Sequence, residues 1–289
     1  MFLNNPLSTV AYFVLMAAIV SLWVTPRRSS VWISLAIAAS LTAFVAGRVT
    51  VTGIAAVGVL AFLSFAFYRL KLIAPLKLVL GLFIFIVSLA LHTHRIPGFK
   101  NWLVLPNLTL SRDSFPVHLY LNFDKPLIGL FLVGFGMTRV RGLREWKNLF
   151  KETLPIILYA SFALLGLSAA IGYVRLDLKW FEFSWLWLLV NLFFSCVAEE
   201  ALFRGFLQFQ LSKLMRPWRF GAVVSWITAS ILFGLIHLPG GWSYVCLATV
   251  AGLFYGYAFF KTKKVEASIF VHFAVNAIHF LAFTYPALK

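Results

Sequence analysis

Acidic residues are scarce in this chain: nine Asp and Glu stand against 25 Lys and Arg in 289 residues, and charged residues of all kinds make up 12%. Soluble domains carry about a quarter charged residues, so a largely water-exposed surface is excluded. Cysteine is nearly absent as well. Cys196 and Cys246 are the only two, far apart and outside any CxxC spacing, which leaves a disulfide framework and a thiolate metal site without support. Cys196, three residues before Glu199, reads as a small buried hydrophobe rather than a nucleophile. No internal repeat is visible, which argues against the inverted-repeat transporters. The first apolar run has no Lys or Arg ahead of it, so it reads as a membrane helix and not as a cleaved signal peptide.

What is present is apolar: 62% of the residues are hydrophobic. Apolar windows fall near 7–25, 31–47, 51–68, 72–92, 119–138, 153–174, 185–211, 222–239, 242–260 and 266–286. Runs of this length span a bilayer. The expected fold is all-α, a polytopic transmembrane helical bundle of about ten membrane helices, with eight to ten as the range. Two regions are expected. Residues 1–150 hold variable N-terminal helices, an external polar loop near 93–125 and an amphipathic segment at 139–152; residues 151–289 form the core.

A net charge of +16 would suggest nucleic acid for a soluble protein, but here it marks orientation. Sixteen basic residues lie in odd-numbered loops and seven in even-numbered ones. The positive-inside rule then places the odd loops in the cytoplasm and both termini outside. The expected setting is a bacterial cytoplasmic (inner) membrane, with the lipid bilayer as partner, no nucleic acid, and an oligomeric state the sequence leaves open. In the polar loop, His92, His94 and His118 read as solvated histidines rather than a metal site, the pair at 92 and 94 having no acid nearby, and Trp102, Phe115 and Tyr120 fit an interfacial lid or a re-entrant segment. In 139–152, Val140, Leu143, Trp146, Leu149 and Phe150 recur at helical spacing among basic residues. That pattern suits a helix lying on an anionic leaflet.

The chemistry concentrates in Phe193–Gly205, where Glu199, Glu200 and Arg204 interrupt an apolar run. Ionisable groups in such a run are costly and face the bundle interior or a wet cavity. On an α-helix Glu200 and Arg204 are i and i+4, the favourable order for an ion pair. Glu199 is turned about 100° away and has no obvious partner in its own helix. Two further polar positions follow: His237 before Pro239-Gly240-Gly241, and His272 with Asn276 on one helix face, continued by His279. Singly, each residue has a structural explanation. Together, an unpaired Glu, two His and an Asn are what hydrolysis of a shielded amide requires: a base for water and donors for the oxyanion.

Glu199-Glu200-x-x-x-Arg204, Phe233-x-x-x-His237 and His272-x-x-x-Asn276 resemble the three-motif signature of the CPBP family, the CAAX proteases and bacteriocin-processing enzymes also called the ABI family. The resemblance covers about 185–286 and gives nothing for 1–150. It implies an intramembrane endopeptidase acting on a membrane-embedded or lipidated peptide, with no cofactor. Glu199 would activate water with help from His237, His272 and Asn276 would support the oxyanion, and Glu200, Arg204 and Phe233 would hold the site together. A zinc alternative, with Glu199, His237 and His272 as ligands and an open position for water, lacks HExxH, so metal-free chemistry is preferred. Two functions of other classes compete: a non-catalytic binding, bacteriocin-immunity or scaffold protein of the same fold, and a proton-coupled transporter. One expectation conflicts with the rest. At about 1.5 Å per residue, Glu199 and His272 fall in the cytoplasmic half, whereas His237 falls too far out unless its helix starts later, tilts, or is broken at Pro239.

Overall fold

Inside a bilayer the backbone must satisfy its own hydrogen bonds, and a helix does so within one segment. The computed structural model describes residues 5–289; the uncharged lead-in at residues 1–4 lies outside them. Ten helices follow among the described residues: α1 (Pro6–Val24), α2 (Ser29–Val45), α3 (Val51–Arg69), α4 (Ala74–His92), α5 (Asp124–Gly136), α6 (Gly142–Ala170), α7 (Ser184–Leu214), α8 (Gly221–Leu235), α9 (Trp242–Thr262) and α10 (Val265–Ala282). Seven are long and apolar enough to cross a membrane; α2 and α8 are apolar but shorter. The protein is a multi-pass helical membrane bundle.

Two local expectations change. The amphipathic segment 139–152 is not a separate surface helix: it continues into the next span as the 29-residue α6, with Pro155 inside it. The polar loop is not wholly irregular, because β1 (Trp102–Leu108) and β2 (Val117–Leu121) form a two-stranded sheet. Trp102 and Val104 of β1 point inward and Leu103 outward, the two-residue period of a strand.

The chain divides into two compact units. The first holds residues 5–104, 120–139 and 193–202. In it α1 packs on α2, and α5 runs beside α3, α4 and the middle turn of α7. Tyr12 of α1 joins these elements, its ring centroid 5.7 Å from Phe123 and 6.2 Å from Phe194. Gly129 sets how closely α5 approaches α7. A Cβ built there would lie 2.8 Å from a Val197 methyl and 3.1 Å from the Ala198 nitrogen, so any other residue would push the helices apart. Outward, α4 has 17% of its window buried and turns Leu78, Leu82, Phe83 and Ile86 to the surface. Such a face is stable only against acyl chains.

The second unit holds residues 105–119, 140–192 and 203–289. Here α9 packs on α8, α10 and α6. Trp187 stacks on Phe280 of α10, 4.0 Å between centroids at 4°. The C-terminal tail is clasped by single bridges from Leu176 to Phe283 and from Ser114 to Leu288. Lys179 Nζ donates to the Phe283 carbonyl and, at 3.0 Å, to Asp177. The Ser111 hydroxyl first, and Lys179 after it, hold the Asp177 carboxyl below the usual carboxylate range.

Candidate active site

The segment that carries the carboxylates is not a uniform α-helix. In α7 the stretches Asn191–Cys196 and Ala201–Gln208 are π-helical and flank one α turn, Val197–Glu200. π turns bond i to i+5 and recur at functional sites. The 3.6-residue register is therefore not uniform along α7. Glu199, Glu200 and Arg204 are all buried, Glu200 and Arg204 completely. The neighbouring Cys196 is buried and Cys246 exposed, and neither forms a disulfide.

In the first unit, Glu199 is not left without a cation. Lys125, at the start of α5, places Nζ 2.6 Å from Glu199 Oε1, and both side chains are largely buried. The approach at Gly129, one turn further along α5, makes this reach geometrically available. The base of α5 is itself braced. His94 Nδ1 lies 2.7 Å from Asp124 Oδ2, so the expectation of a histidine with no acid nearby is wrong: the acid is 30 residues away in sequence. Asn101 Nδ2 donates to the other oxygen of Asp124 at 3.2 Å. The Asn101 side-chain oxygen Oδ1 accepts from the Phe123 backbone amide at 2.9 Å.

In the second unit the remaining motif residues gather around aromatic rings. Arg204 donates from Nη2 to the Gly252 carbonyl at 3.1 Å. Its guanidinium lies over Phe233 at 4.4 Å and over Tyr255 at 5.6 Å. One turn further along α7, Gln208 Nε2 donates to the Gly256 carbonyl at 3.0 Å. His272 stacks on Tyr255, 4.4 Å apart at 14°, and meets Phe233 edge to face. Ser268, one turn before His272, donates to the Tyr255 carbonyl at 2.7 Å. Asn276, one turn after it, donates from Nδ2 to Asn191 Oδ1 at 3.3 Å.

His237 sits just past the end of α8, before the 3₁₀ turn Leu238–Gly240. The helix thus ends earlier than the apolar window suggested, because Pro239 and Gly241, the latter at φ +87°, cannot continue it. Nδ1 of His237 is 2.8 Å from the Phe233 carbonyl. A carbonyl only accepts, so Nδ1 carries the proton and Nε2 bears the lone pair of the neutral ring. That is the tautomer a proton acceptor needs. His279, by contrast, turns Nε2 to the Thr284 carbonyl at 3.1 Å and helps hold the tail.

Several participants escaped the sequence. Lys125 counted as an ordinary loop cation, and Tyr255, Asn191 and Gln208 carried no signal in their spans. Glu266, at the start of α10, is buried and accepts from the Val140 amide at 2.9 Å, a structural use of an intramembrane acid. Among the described residues of either unit no three His, Cys, Asp or Glu side chains converge as metal ligands.

Buried ionisable and amide side chains on apolar helices define the class: a polytopic helical membrane protein with polar groups buried among the helices of each unit. Within that class, residues 180–278 match the model of the family described as type II CAAX prenyl endopeptidase Rce1-like. This matched stretch contains Glu199, Glu200, Arg204, Phe233, His237, His272 and Asn276 and is similar to the CPBP family. No curated protein and no solved structure matches the chain.

Proposed function

We propose that the protein is an intramembrane endopeptidase that hydrolyses a peptide bond in a membrane-associated, lipidated peptide by means of a glutamate-activated water. The observation that carries this is the family match over 180–278, which includes every residue of the three motifs. In the proposed reaction Glu199 takes a proton from water, whose oxygen attacks the scissile carbonyl carbon. His237 assists through Nε2, and His272 and Asn276 donate to the oxyanion. The C–N bond then breaks, and the leaving nitrogen takes up the proton. The tautomer fixed by the Phe233 carbonyl supports the role of His237, and the Tyr255 stack together with the Asn191 bond supports an oriented His272 and Asn276. A multi-pass membrane protein meets lipidated chains at the bilayer, which suits this substrate class.

Purified protein in lipid vesicles, given a prenylated peptide ending in a CAAX sequence, tests the proposal. Cleavage that needs the prenyl group and survives a chelator is the expected result. Loss of activity with chelator, restored by zinc, would instead support the metal-dependent alternative with Glu199, His237 and His272 as ligands. Unchanged peptides alongside an intact cellular phenotype in Glu199→Gln cells would favour the non-catalytic binding, immunity or scaffold role.

A further inference from the structure

The family match begins at residue 180, yet Lys125, a cation that meets Glu199, lies outside it. We infer that Lys125 is a positioning residue for the reaction, fixing the Glu199 carboxylate in its charged form and in one orientation. The inference rests on the proposed role of Glu199 as the base.

The geometry is specific. Nζ of Lys125 lies 2.6 Å from Glu199 Oε1, and the two side chains are 13% and 7% exposed. A carboxylate so far from water stays ionised only beside a partner that offsets its lost hydration. The ammonium supplies that and holds Oε1 in one place, which fixes the direction of the whole carboxylate. Lysine suits this task because its ammonium is a compact charge with three donors on a flexible stem.

Reach and direction come from α5. Gly129 lets α5 lie against Val197 and Ala198, which sets the distance to the turn that bears Glu199. Asp124 is anchored by His94 and Asn101, and its Oδ1 accepts the Lys125 amide at 2.9 Å. The backbone from which the lysine stem departs is therefore fixed. A residue needed only to neutralise charge would not require this bracing.

The test compares Lys125→Met and Lys125→Arg with wild type and Glu199→Gln, in vesicles with the prenylated peptide as probe. Lys125→Met is expected to lower kcat about 10- to 100-fold, the range of one charge-assisted hydrogen bond, with KM unchanged. Lys125→Arg, which keeps the charge, is expected to recover most of kcat. Gly129→Val, which moves the helices apart and leaves both charges in place, is expected to follow Lys125→Met. If Glu199→Gln abolishes cleavage while Lys125→Met keeps wild-type kcat, or if the Met and Arg variants lose kcat equally, the inference is overturned and the endopeptidase reading stands. If Glu199→Gln cleaves normally, that reading has failed instead. Melting temperatures decide the pair without any substrate. The double variant Lys125→Met, Glu199→Gln should melt no lower than the worse single, and additive losses would overturn the ion pair.

Discussion

Replacing Arg204 by Lys keeps the charge and removes the geometry, and the consequence can be estimated. Arg204 is wholly buried, donates to the Gly252 carbonyl at 3.1 Å and lies over the Phe233 ring at 4.4 Å. A hydrogen bond from a charged donor contributes about 1.5–3 kcal/mol, and a desolvated cation–π contact about 2 kcal/mol. An ammonium can neither stack flat on Phe233 and Tyr255 nor present the planar fork, so about 2–4 kcal/mol is lost. At about 2–4 °C per kcal/mol, the detergent-solubilised protein should melt roughly 5–15 °C lower, read as the monodisperse fraction surviving a heat step. Gly252→Ala attacks the same contact from the other side. Its Cβ would meet Arg204 Nη2 at 3.2 Å and the Ser230 carbonyl at 3.1 Å, so the two losses should overlap and the double variant should be less than additive. Wild-type melting of Arg204→Lys, or strict additivity, would refute the placement of the guanidinium as the hub of the second unit.

His237→Asn should separate stability from chemistry. The shorter amide can still donate to the Phe233 carbonyl, so the melting temperature should hold, but Nε2 is gone and cleavage should fall about 10²–10⁴-fold; equal losses in both would make the histidine structural. The tail clasp should be acid-sensitive. Because the folded Asp177 carboxyl is held below its ordinary value of 3.8, its contribution is full above that value and disappears as pH falls through the depressed range. The melting advantage of wild type over Asp177→Asn should therefore be present at neutral pH and vanish in acid, and a constant difference would contradict the clasp.

The helical architecture was legible because most apolar runs are long enough to span a bilayer, and ten windows became ten helices. Boundaries failed where composition misleads: the window through Pro239 overran the end of α8, and the basic stretch before Pro155 shares the period of the span behind it and so joined it. The motif residues were legible by type and spacing, but not their partners. Lys125 and Glu199 are 74 residues apart, and nothing local in a lysine beside a proline announces a buried pair. Tyr255 beneath His272 looks like any aromatic in an apolar span. The helical wheel also assumed a uniform α-helix, and the π turns of α7, which bond i to i+5, leave no mark in composition. The short strands were missed because Trp102–Leu108 and Val117–Leu121 sit among prolines and loop residues.

The central claim is that the Glu199 carboxylate activates the water that cuts the peptide. Its most direct test is cleavage by wild type and Glu199→Gln at matched amounts of folded protein in vesicles, with the released fragments identified by mass. The substitution keeps size and removes the base, so the fragments should drop by at least about 10²-fold while the protein still folds. Wild-type fragments at wild-type rates from Glu199→Gln would contradict the claim.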